Sequence, residues 1–357
     1  MELTGTRIVM TGATGFIGRH VAGELLARGV EVYALVRPES RQKELLPNHE
    51  KLHLLPGTMA DAEAFVEELG HADGFLHFAW GGVNREQIDS PVVQAANVSD
   101  SLACVRAAHR LGCQVFMDAG SRVEYGITED GSMEETMECH PVNAYGAAKL
   151  EFYQKALELC RGWKMTYYHL RFFSVYGTGD HPWSIISTLV RELPQGNTVS
   201  LSACRHRWNF MEISDAARAV AELYAHSDRH VGETQIVNIA SEDTRVLKEF
   251  VEELHELCGG SGRLEYGSFV QAKEGALSIC PRTEWLRRLT DNSWQERTAF
   301  AEGIRRMLAA TGASENGAAV TAATGASENG AAATEAPETS DAPKAGYREI
   351  NTETNGD

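Results

Sequence analysis

A chain of 357 residues, 43 % hydrophobic and 8 % aromatic, can bury a sizeable core as one large or two intimately joined domains. Its formal net charge of −17 argues against nucleic acid or an anionic membrane surface as the main partner, because either would call for a basic face. Small anionic molecules stay open, since a few convergent arginines can hold them. The cysteines (Cys104, Cys113, Cys139, Cys160, Cys204, Cys258 and Cys280) are odd in number and include no C-x-x-C pair, as expected of reduced cytoplasmic thiols. The longest nearly apolar run, "GFLHFAWGGV", is too short to span a bilayer, so no membrane association is expected.

From residue 7 to about 175, short β-branched runs ("RIVMTG", "EVYALVR", "LHLLPG", "GFLHFA", "QVFMDAG", "MTYYHLRFF") alternate with longer helical patterns. That alternation predicts an α/β fold with a doubly wound, mostly parallel sheet. Further on, helical "PWSIISTLVRELPQG", "ISDAARAVAELYAH", "LKEFVEELHELCG" and "TAFAEGIRRMLAA" and the strand candidate "QIVNIA" predict a smaller α/β region against the sheet edge. The expected division is a dinucleotide-binding domain over 1–175, a substrate-binding region over 176–310 and a disordered tail over 311–357. In that tail "ATGASENGAA" begins at 310 and recurs at 323, and a composition of Ala, Thr, Glu, Gly and Pro cannot offset its ordering entropy.

Gly12, Gly15 and Gly18 in "RIVMTGATGFIGRH" fall between the first strand and the helix that follows it. A tight glycine turn there exposes backbone N–H groups and a helix N-terminus to a diphosphate. At the end of the second strand, where an acid would bind a ribose 2′-OH, the chain has Val36 followed by Arg37. An arginine suits a 2′-phosphate, so NADP(H) is favoured over NAD(H). In "NAYGAAKLEFY", Tyr145 and Lys149 stand four residues apart on one helix face, where an ammonium favours the phenolate of a tyrosine acid/base.

Together "TGATGFIG" and Y-x-x-x-K resemble the extended short-chain dehydrogenase/reductases, the NAD-dependent epimerase/dehydratase family, from residue 7 to about 310. The fold the resemblance implies is a Rossmann-type sheet with a C-terminal α/β substrate region. It implies cofactor contacts at Gly12, Thr14, Gly15, Phe16, Ile17, Gly18, Arg37, Ala79, Tyr145, Lys149 and Phe172. The family's third catalytic group falls on Ser121 in "SRVEYG", beside Tyr145 and Lys149. Substrate contacts are assigned to Ser121, Arg122, Ser174, Arg205 and Arg207, with no metal. Asn97 matches a helix asparagine that props the site, and relatives often form homodimers through the helices carrying Asn97 and Tyr145.

The chain departs from the family pattern at Thr58, Ser174 and Trp208, where relatives commonly carry Asp, Asn and Arg. Dehydratases place an Asp-Glu pair directly after the Ser or Thr; here Arg122 and Val123 stand there and the acid comes one place late, at Glu124. A one-place shift on extended backbone aims a side chain away, so dehydration is disfavoured and Glu124 is left without a role. "GSRVEYG" and "HFAW" look instead like a bacterial 4-ketoreductase or epimerase branch similar to CDP-abequose synthase. Tyr125 reads as a packing residue. The expected function is 4-keto reduction or C4 epimerisation of a sugar or nucleotide sugar; the alternative is a non-catalytic dinucleotide-binding sensor or scaffold. A serine-hydrolase reading of "AGSRV" fails because no G-x-S-x-G elbow leads into a helix. The H-E-x-x-H pattern "HEKLH" fails as a zinc site because it enters a strand rather than a helix.

Overall fold

The computed structural model describes residues 2–84, 86–128, 131–268 and 278–311; of the tail expected over 311–357, Thr311 ends a helix and the rest lies outside the described residues. Seven strands, β1 (Arg7–Thr11), β2 (Glu31–Val36), β3 (Leu52–Pro56), β4 (Gly74–His77), β5 (Val115–Ser121), β7 (Thr166–Phe172) and β11 (Thr234–Ile239), form the main sheet in the order β11-β7-β5-β4-β1-β2-β3. Every pairing is parallel. It is the Rossmann-type doubly wound α/β sheet, with all carboxyl ends on one edge and the order reversing between β1 and β4.

Helices cover both faces, which is why the strands read as nearly continuous apolar runs. One layer holds α1 (Phe16–Ala27), α6 (Ile213–Ala225) and α8 (Glu284–Leu289); the other holds α2 (Val66–Leu69), α3 (Pro91–Arg110) and α4 (Ala144–Trp163). Strand alternation divides the core accordingly: Ile8 and Met10 of β1 face the α1 layer and Val9 the α3 layer. The run "QIVNIA" is a strand, but it is the edge strand β11 of the main sheet, with Val237 and Ile239 wholly buried under the α1 layer. The main sheet thus takes its last strand from beyond residue 175.

The smaller strands gather over the carboxyl edge and beyond it. β8 (Ser174–Tyr176), β10 (Arg207–Glu212) and β12 (Thr244–Val246) make one sheet; β9 (Thr198–Leu201) pairs β13 (Arg263–Tyr266), and β6 (Ser132–Met133) pairs β14 (Cys280–Pro281). With α5 (Ile185–Glu192), α7 (Leu247–Leu257) and helical residues 300–311 they enclose a third apolar cluster around Phe210, Phe250 and Phe300. Among the described residues no helix is long and apolar enough to cross a membrane.

Candidate active site

Gly12 follows β1 at φ +72°, and a Cβ there would lie 2.4 Å from the Phe78 carbonyl carbon, so the turn after β1 closes directly against the segment after β4. A Cβ at Gly18 would overlap the Gly12 carbonyl oxygen, which seats α1 on the turn. Gly15 is the N-cap of α1, with no side-chain cap and no acid in the first turn. The first N–H groups of the helix therefore face outward without a side-chain acceptor, as an anion site requires. Thr14 completes the turn, Phe16 and Ile17 open α1, and Arg19 reaches across to donate to the Gly179 carbonyl at 2.6 Å. The residues present fit a dinucleotide diphosphate. Gly12→Ala is expected to cost at least about 2 kcal/mol of stability in denaturant unfolding, through strained φ and overpacking together.

Ser121 ends β5 and Tyr145 is the second residue of α4, capped by the Asn143 side chain, which accepts from Gly146 N–H at 2.8 Å. The Ser121 hydroxyl acts on the Tyr145 phenol to favour its charged form. One turn on, buried Lys149 donates from Nζ to the Ala119 carbonyl at 2.6 Å and lies 3.6 Å over the Trp80 ring, which meets Tyr145 edge-on at 6.2 Å. Burial pushes the Tyr145 phenol up to about 12, against the opposing pull of Ser121 and Arg122. Burial also brings Lys149 down to about 8, with Asp118 and Glu124 holding it up. Ala79 lies two residues past β4 and Phe172 ends β7, packing edge-on against Phe78 at 6.0 Å. Asn97 holds the turn after β4 by accepting from Gly81 N–H and donating to its carbonyl, both at 2.9 Å.

Beneath Ser121 lies a charged cluster that sequence reasoning missed. Glu124, fully buried, accepts from Ser121 N–H at 2.6 Å, from His169 Nε2 at 2.7 Å and from Arg171 Nε at 3.1 Å. Asp118 lies directly opposite His169 in the β5–β7 pairing and bonds its Nδ1 at 3.0 Å; it also accepts from the Tyr167 hydroxyl at 2.8 Å. Despite burial, the two carboxylates raise His169 to about 9, while His169, Arg171 and Ser121 N–H hold Glu124 down near 2. Gly120 makes the space, since a Cβ there would come within 2.6 Å of the His169 ring. The local signal was available: Ser121-x-x-Glu124 is a capping box, and Ser121 caps the 3-10 turn Arg122–Glu124. Tyr125 is buried, its hydroxyl donating to Asn238 at 2.7 Å.

On the other side of Ser121, the Arg122 guanidinium stacks 5.2 Å from the centre of the Trp208 ring in β10. Ser174 opens β8, paired with Phe210 of β10. Arg207 is exposed and donates to the Thr244 carbonyl at 2.5 Å; Arg205 is exposed. The structure therefore brings Ser121, Arg122, Tyr145 and Lys149 together, with Arg207 turned to β12. Arg37 is exposed directly after β2. Thr58 donates its hydroxyl to Asp61 at 2.8 Å in a short turn after β3. Of the "HEKLH" histidines, His53 sits in β3, 3.0 Å from Glu31, and His49 lies before the strand, so they share no helix face.

A doubly wound sheet with a glycine turn after β1 and a Ser, Tyr and Lys group at its carboxyl edge defines a dinucleotide-dependent oxidoreductase fold. The chain belongs to the NAD dependent epimerase/dehydratase family, whose profile matches residues 8–240, and with it to the extended short-chain dehydrogenase/reductase enzymes. It is 27 % identical over 323 residues to the dTDP-6-deoxy-L-talose 4-dehydrogenase (NAD(P)(+)) of Kitasatospora kifunensis, covering 85 % of this chain and 95 % of that one. It is 21 % identical over 319 residues to the CDP-abequose synthase of Salmonella muenchen, covering 85 % and 97 %. MoeE5 in complex with UDP-glucuronic acid and NAD is similar in structure, with a TM-score of 0.73 at 26 % identity over 86 % of this chain and 99 % of that one.

Proposed function

We propose that this enzyme carries out 4-keto reduction or C4 epimerisation of a nucleotide-linked sugar, with Tyr145 as the acid/base. The observation that carries the reading is the convergence of Ser121, Tyr145 and Lys149 beside the glycine turn. Bound NAD(P) supplies hydride exchange at the sugar carbon. Tyr145 hands its proton to the carbonyl oxygen in the reductive direction and, as the phenolate, takes one back in the oxidative direction. Ser121 orients the same oxygen by hydrogen bonding, and Lys149 places a positive charge beneath the pair. An epimerase uses these groups twice on opposite faces of the sugar, whereas a reductase uses them once.

Dehydration is disfavoured on a specific ground: the sole acid in "SRVEYG", Glu124, is wholly buried on His169 and Arg171 and cannot reach a substrate. The proposed division is a dinucleotide-binding part over 1–175, supplemented by β11, and a substrate-binding part over 176–310. Ser174, Arg205 and Arg207 are proposed substrate contacts. For the dimer, we propose pairing through α3 and α4, where Val92 leaves its side chain 80 % exposed.

The cofactor preference follows from Arg37 and from Val36 standing where an acid would exclude a 2′-phosphate. Arg37→Ala is expected to weaken NADPH binding about tenfold and NADH binding little, as a titration with each would read. Native mass spectrometry of the purified protein, followed by a nucleotide-sugar screen, tests the whole reading. A reductase consumes NADPH stoichiometrically and an epimerase retains its dinucleotide through turnover; a chain that binds no dinucleotide does neither.

A further inference from the structure

We infer that the sugar this site takes carries a carboxylate, and that Arg122 receives it. The inference rests on the nucleotide-sugar reading above and narrows it to a class of acidic sugars. Arg122 directly follows Ser121, opens the 3-10 turn after β5, and lies over Trp208 of β10, between the acid/base group and the substrate-binding part. Among the described residues it has no carboxylate within 4 Å. The nearby acids are committed elsewhere, Glu124 to His169 and Arg171, and Asp118 to His169 and Tyr167.

Its neighbours share the same want of acceptors. Trp208 Nε1 is buried without a hydrogen-bond partner, and His206, edge-on to the Trp208 ring at 5.2 Å, has neither ring nitrogen bonded. The buried indole N–H without an acceptor is costly, the half-buried guanidinium has no counter-ion, and a ligand carboxylate would meet the guanidinium with a bidentate contact. Burial lowers Arg122 to about 10, which leaves the cation intact at neutral pH.

Position separates a sugar carboxylate from the diphosphate. Tyr145 and Ser121 must meet the oxygen of the reacting carbon, so a cation on the residue next to Ser121 reaches a substituent of the same ring. The diphosphate, one linkage further away, would fall toward the exposed Arg205 and Arg207 of the substrate part.

Calorimetric titration of the dinucleotide-loaded protein with UDP-glucuronate and with UDP-glucose tests this. UDP-glucuronate is expected to bind about 10- to 100-fold more tightly. Arg122→Met should bring the two ligands to within about twofold of each other, and Arg122→Lys, which keeps the charge without the fork, should retain part of the difference. Equal binding of both ligands to the unmutated protein overturns the inference alone. So does an Arg122→Met variant that weakens both in equal measure, which would put Arg122 on the diphosphate. Failure of both ligands to bind a dinucleotide-loaded protein overturns the inference and the nucleotide-sugar reading together.

Discussion

Tyr145→Phe is expected to lower turnover by about 10²- to 10⁴-fold, the range for losing a positioned general acid/base. Dinucleotide affinity should stay within about twofold, because the change removes one oxygen and leaves the ring against Trp80. The loss should therefore fall on kcat rather than on KM. The geometry gives a reason for the size of the effect. Lys149 is too fully committed to the Ala119 carbonyl and the Trp80 face to stand in as proton donor. A sensor or scaffold would keep its function in the same variant. Turnover of the unmutated enzyme should also decline on the alkaline side, as Lys149 loses its charge near pH 8.

Glu124→Ala is expected to destabilise the protein by about 3–5 kcal/mol, the usual cost of removing one partner from a buried charged pair. His169 and Arg171 would be left as buried cations with one carboxylate between them. Ser121 would also lose the acceptor that fixes its backbone, so any variant that folds should turn over slowly. Glu124→Gln keeps an acceptor for Ser121 N–H but gives up the charge, and should fall between the two.

The pH dependence of stability follows from the same cluster. Glu124 is depressed in the folded protein, so its contribution is present above about pH 4.5 and fades as the pH falls toward 2. His169 is raised, so its contribution is full below about pH 6.5 and is lost as the pH rises through 9. Denaturant unfolding of the unmutated protein should thus show stability falling on both flanks, and Glu124→Gln should flatten the acid flank.

Much of this was legible from local sequence. Gly12, Gly15 and Gly18 declare a turn by themselves, because strand, turn and helix are contiguous. Tyr145 and Lys149 share a helix face by spacing alone. The six expected strands of the first half all form, since a sheet buried on both faces leaves unbroken apolar runs. "QIVNIA" was recognisable as a strand, but not its place beside β7, because a crossover through β8 to β10 decides that, and periodicity carries no address.

Glu124 shows the limit more sharply. Its partners His169 and Arg171 lie 45 and 47 residues away, and only the β5–β7 register sets Asp118 opposite His169. The one-place shift removes Glu124 from the substrate acids but leaves it without a role; that reading misses the capping-box spacing to Ser121, which turns it back toward the strand. The stacking of Arg122 on Trp208 had no comparable signal, being a contact between a turn and a strand 86 residues on.

The most direct test of the central claim is to compare the unmutated protein and Tyr145→Phe, each loaded with dinucleotide, across a nucleotide-sugar panel while following the nicotinamide absorbance and the sugar product. The account predicts that both bind the dinucleotide and that only the unmutated protein transforms a sugar. Absence of dinucleotide binding in the unmutated protein, or undiminished turnover by Tyr145→Phe, would contradict it.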